Sequence, residues 1–122
     1  MQNVVNWFEI PVRDFPRAVR FYEAALGTTL VTETFQGADM AVFPSDGVHG
    51  ALVAGRQRKP TTDGSLIYLH VGTGGTALDQ AIERVRFAGG DLLVPVTDIG
   101  PMGQFAVIRD TEGNAVGLHA PR

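Results

Sequence analysis

Apolar and polar positions alternate along this chain with two different periods, and the order of those periods predicts its architecture. From Val4 to Val12 the period is two. Phe8, Ile10 and Val12 fall on one face and Trp7, Glu9 and Pro11 on the other, which predicts a strand. The period then lengthens: Phe15, Ala18, Val19, Tyr22, Ala25 and Leu26 recur at helical spacing and form one apolar stripe. Asp14 is placed to cap that helix. Pro16 is tolerated in its first turn, where backbone N–H groups lack intrahelical partners, and Gly27 supplies a left-handed stop. Three strand-like pieces follow, Leu30 to Phe35, Met40 to Phe43 and Ala51 to Ala54, separated by polar turns at 36–39 and 44–47.

Residues 55–64 carry Arg56, Arg58, Lys59 and Pro60 without apolar periodicity and read as a linker with solvated charges. Beyond it the order repeats. A strand from Leu66 to Val71 precedes a helix from Thr76 to Ala88, whose stripe is Leu78, Ala81, Ile82 and Val85. Strands from Leu92 to Val96, Phe105 to Ile108 and Ala115 to His119 complete the set. Gly89 and Gly90 end the second helix as Gly27 ends the first. The prediction is one α+β domain over residues 1–122, made of two βαβββ modules at 4–54 and 65–120. The modules would form a curved eight-stranded mixed sheet around a small-molecule cleft, with the helices outside.

Composition narrows what such a domain can do. A hydrophobic share of 44% with 19% charged residues is that of a globular chain despite 15 Gly and 7 Pro. A net charge of −3 gives no basic footprint, so nucleic acid is not an expected partner. Without cysteine there is no disulfide, thiolate metal site or cysteine nucleophile. No apolar run reaches about 18 residues and no basic segment leads an apolar signal core, so the expectation is a cytoplasmic protein with no membrane partner.

Candidate chemistry clusters by strand parity. Tyr68 and His70 occupy the same type of face as Trp7 and Glu9, and parallel outer strands within a module would bring His70 beside His119. These five residues are the candidate cleft lining. Glu9, an acid within an apolar strand, needs a partner, a solvated cleft or a raised pKa, and is the candidate general base. Residues 98–104 form a candidate mobile loop in which Met102 could cover a ligand and Gln104 could hydrogen-bond it. Gly72-Thr73-Gly74-Gly75-Thr76-Ala77 satisfies a dinucleotide fingerprint formally, but Asp91 precedes its strand and hairpins follow, so the run reads as a glycine-rich start to a helix. The three histidines, at 49, 70 and 119, are too scattered for a local metal motif.

The opening Phe8-Glu9-Ile10-Pro11-Val12-x-Asp14, with Arg17-Ala18-x-x-Phe21-Tyr22, Leu26-Gly27 and the closing Asp110-x-Glu112-Gly113-Asn114, resembles the vicinal oxygen chelate superfamily over nearly the whole chain. That group includes lactoylglutathione lyase (glyoxalase I), bleomycin-resistance proteins, fosfomycin-resistance enzymes and extradiol dioxygenases. The resemblance implies paired βαβββ modules, usually in a homodimer, and, in metal-dependent members, ligands from strands one, four, five and eight. At those positions this chain carries Trp7, one of Gly50 to Val53, Leu66 and Gly117, none able to ligate, so no metal or other cofactor is expected. The expected function is binding of a small organic molecule, with Trp7, Tyr68, His70, Met102, Gln104 and His119 as contacts. The alternative is a lyase or dioxygenase-type enzyme, using Glu9 as base or a divalent metal at a displaced site of Glu9, His70 and His119.

Overall fold

A computed structural model describes residues 3–122. Its elements follow the predicted order: β1 (Trp7–Pro11), α1 (Phe15–Leu26), β2 (Val31–Phe35), β3 (Ala38–Val42), β4 (His49–Ala54), β5 (Tyr68–His70), α2 (Ala77–Phe87), β6 (Asp91–Asp98), β7 (Gln104–Arg109) and β8 (Ala115–Ala120). The eight strands divide into two four-stranded sheets of the same design, β1-β4-β3-β2 and β5-β8-β7-β6. In each sheet the module's first strand lies parallel to its last, and the remaining pairs are antiparallel. The repeat read along the chain is therefore a repeat in space.

Boundaries shift where pairing dictates. β1 begins at Trp7 rather than Val4 because β4 offers it a partner only from His49 onward, and Val4 and Val5 are left exposed. β5 has three residues rather than six, although Gly117 N–H donates to Ile67 O below it and Val71 N–H to His119 O above it. β6 extends to Asp98, and its pairing with β7 shifts register between Leu92 and Val94 and again between Val94 and Thr97. Pro95, which has no N–H to donate, lies in the second of these intervals, on an edge strand that tolerates it. The separator at 36–39 tightens to the two-residue turn Gln36-Gly37, with φ of 51° and 80°, a geometry that matches strand twist.

Helix α2 buries its predicted stripe, whereas in α1 Ala18, Tyr22 and Ala25 are buried together with Phe21, and Phe15, Val19 and Leu26 pack partly buried against the same core. Asp14 caps α1 by accepting from Arg17 N–H at 3.1 Å, and Gly27 ends it at φ 64°. Thr76 gives α2 no such side-chain bond. The helix-facing sides of both sheets meet these stripes in one core that draws Ile10, Phe43 and Leu52 from the first module and Leu69, Ile108 and Leu118 from the second. On the opposite face of the first sheet, Ala38, Met40, Ala51 and Val53 form a smaller cluster. Among the described residues no helix is long and apolar enough to cross a membrane.

Candidate functional site

Each module ends in a hairpin whose turn faces the other module, and the two turns behave differently. At 110–114 the contact is closed. The Glu112 carboxylate is fully buried; it accepts from the N–H groups of Arg13 (2.8 Å) and Asp14 (2.7 Å), from Arg17 Nε (2.7 Å) and from the Thr111 hydroxyl (3.0 Å). Burial alone would raise its pKa, but the Arg17 guanidinium, the two N–H groups and the hydroxyl outweigh it and hold the carboxyl at about 2. Asp110 accepts from the Tyr22 hydroxyl at 2.5 Å and from the N–H groups of Glu112 and Asn114. Burial, and then the Asp110 charge, push the Tyr22 phenol well above its ordinary 10. Asn114 Nδ2 donates to Pro11 O, and its Oδ1 accepts from Thr61 N–H.

At 44–48 the corresponding turn stands away from the second module across a cleft of about 660 Å³, against about 170 Å³ for the recess at the closed end. Phe8, Phe43, Leu66 and Leu69 supply apolar wall; Ser45, Asp46, Tyr68 and His70 bring the polar groups. Phe8 and Phe43 lie with ring centroids 5.7 Å apart.

The residues singled out in the sequence are distributed over several places. Tyr68 and His70 both line the large cleft. The Tyr68 ring lies over Gly117, where an added Cβ would come within 2.4 Å of it, and stacks on Phe105 with centroids 6.0 Å apart. Trp7, 41% exposed, and Glu9 lie on the open face of the first sheet, where Trp7 Nε1 donates to Glu9 Oε2 at 3.1 Å. Glu9 lines the 170 Å³ recess and, with Arg56 and Arg58 of the linker, a smaller one of about 30 Å³. His70 and His119 are register partners, as parity requires, and His119 Nε2 lies 2.7 Å from Met102 O.

The loop at 98–104 is folded as a turn. Gly100–Met102 forms a short 3-10 helix, Arg122 Nε donates to Gly100 O at 2.6 Å, and the Arg122 guanidinium also grips Asp98, holding that carboxyl below its ordinary range. Met102 is 65% exposed and lies away from the 660 Å³ cleft. Gln104 lines a separate recess of about 210 Å³ beside Gly74 and Pro121, with its Oε1 buried and unpartnered. Sequence reasoning missed Asp46, Phe8 and Phe43. Asp46 did carry a signal: like Glu112, it stands three residues before the last strand of its module and is followed by glycine.

The four positions where the resemblance places metal ligands now have defined surroundings. Ala51 opposite Glu9 and Gly117 opposite Tyr68 hold the same place in their modules, so the set is Trp7, Ala51, Leu66 and Gly117. An indole N–H only donates, and the other three side chains carry no lone pair. The displaced set is divided: Glu9 belongs to one sheet and His70 and His119 to the other, with one His119 nitrogen bonded to Met102 O. Among the described residues no three His, Asp or Glu side chains converge to hold a metal.

The family model described as Glyoxalase/Bleomycin resistance protein/Dioxygenase superfamily matches residues 4–118. A curated protein of Mycobacterium bovis, "Putative glyoxylase CFP32", is 26% identical over 119 residues, which is 96% of this chain and 45% of that protein. The chain thus spans about half the length of this relative. Among solved structures, a glyoxylase/bleomycin resistance protein/dioxygenase domain from Frankia sp. EAN1pec superposes with a TM-score of 0.75 at 22% identity, covering 100% of this chain and 94% of that one. TnmS3, an antibiotic binding protein from Streptomyces sp. CB03234, does so with a TM-score of 0.65 at 22% identity, covering 100% and 99%. At these identities the structural likeness speaks to fold alone.

Proposed function

The chain belongs to the Glyoxalase/Bleomycin resistance protein/Dioxygenase superfamily, and within it we propose that the chain binds a small organic molecule at the 44–48 turn, without a metal at the superfamily's ligand positions. The observation that carries this reading is the 660 Å³ cleft, a size that suits a ligand of drug-like dimensions. Its apolar wall favours burying an apolar or aromatic body at roughly 25 cal/mol per Å² removed from water. Tyr68, His70, Ser45 and Asp46 stand where they can orient that body by hydrogen bonding. A fold shared with an antibiotic binding protein is compatible with binding as an end in itself. The donor set at Trp7, Ala51, Leu66 and Gly117 does not fit a divalent ion, so no chemical step is routed through one.

Naphthylmethanol, a neutral aromatic probe, tests the reading by amide NMR. Shifts should concentrate in residues 43–48 and 66–70, and Leu66→Trp, which fills the cleft from its apolar wall, should remove them. A probe that leaves both segments unmoved would overturn the assignment. Protein purified without an affinity tag and soaked in nickel, zinc, iron or manganese should retain none stoichiometrically; a retained equivalent would overturn the metal-free part.

A further inference from the structure

The geometry points to a cation as the group this cleft recognises: an ammonium or guanidinium on the ligand, held at Asp46. This rests on the reading of the cleft as a ligand site and names the ligand's chemistry. The molecule's other half provides the template. Glu112, the turn carboxylate of the second module, takes the Arg17 guanidinium and two backbone N–H groups of the first. Arg17 is the third residue of α1. The third residue of α2 is Asp79, an acid, so no guanidinium holds the equivalent position; Arg84 of α2 does reach the first module, but it donates to Ala25 O. Asp46 therefore has the chain position of Glu112 without its partner, and in place of a closed contact there is a cleft.

The charge inventory agrees. Among the described residues Asp46 is the one carboxylate lining the cleft, and no lysine or arginine lines it. A carboxylate or phosphate seated here would face Asp46 with no compensating cation and would lose its hydration. A cation on an apolar body would gain a charge-assisted bond as that body covers the carboxylate from water.

Three probes with one body separate the cases: naphthylmethylammonium, naphthylmethanol and naphthoate, titrated by amide NMR at low salt. The ammonium should bind about fivefold more tightly than the alcohol, and naphthoate more weakly than either. Asp46→Asn should abolish the preference, so that ammonium and alcohol bind this variant about equally. Equal binding of ammonium and naphthoate, or an ammonium preference that survives Asp46→Asn, overturns this inference while leaving the cleft a ligand site. Shifts from none of the three overturn the site itself. Shifts at residues 43–48 that depend on protein concentration alone would assign the cleft to a second copy of the chain and overturn both.

Discussion

The turns at 110–114 and 44–48 share a place in their modules, a glycine after the acid and a strand three residues on, yet one is bonded to the opposite module and the other leaves a cleft. Backbone order is common to both halves, since the two sheets have the same strand sequence and the same parallel and antiparallel pairs. The difference lies in a few side chains at the modules' helix starts and turns. Arg17 and Asp14 face Glu112 in one half; Asp79 and Thr76 hold the matching positions in α2. A repeated fold thus becomes asymmetric, closed at one turn and open at the other, where one of two equivalent contacts carries an ion pair and the other does not.

Removing Glu112 should break this comparison most severely. Glu112→Ala leaves the N–H groups of Arg13 and Asp14 without their acceptor and should cost about 3 kcal/mol in urea unfolding. The pH dependence follows from the same carboxylate. Its folded pKa of about 2 lies below its ordinary 4.5, so its contribution is full above about 4.5 and is lost as pH falls toward 2. The slope of stability against pH in that window should flatten in Glu112→Gln. A slope unchanged by the substitution would remove Glu112 as its source.

Tyr22→Phe tests whether the closed contact is a network or a single pair. It deletes the phenol that donates to buried Asp110 at 2.5 Å while retaining the ring, which packs edge-on against Phe21 and Phe43. The expected loss is about 2 kcal/mol by denaturant titration, with cleft binding of naphthylmethanol retained. Parallel loss of binding would show that the two turns are coupled through Phe43.

Local signals in the chain fixed most of this architecture. The apolar stripes, Asp14 as cap, Gly27 as stop and the parity that sets His70 beside His119 all depend on neighbours within one element or on sheet order. The site was less legible. Parity groups Trp7, Glu9 and His119 with Tyr68 and His70, because it assigns a face of a sheet without saying which faces share a cavity. Glycine and proline punctuate the loop of Met102 and Gln104, a local signal, while Arg122, which hydrogen-bonds that loop, lies about twenty residues on. Asp110-x-Glu112-Gly113-Asn114 was visible as a motif. Its partners lie 53 to 103 residues away, and no periodicity reaches that far.

The helix caps offer the smallest effect and the finest test of the asymmetry. Asp14 accepts from Arg17 N–H, whereas Thr76 makes no side-chain bond at the start of α2. Asp14→Ala should therefore cost about 1 kcal/mol and Thr76→Ala only a few tenths, measured as paired urea midpoints at constant slope. The Asp14 backbone N–H still reaches Glu112 after the substitution, so the loss reports the cap and not the ion pair. Equal costs at the two positions would mean that Thr76 caps α2 in solution. The second module would then be anchored like the first at its helix start, and the difference between the halves would narrow to Arg17 against Asp79.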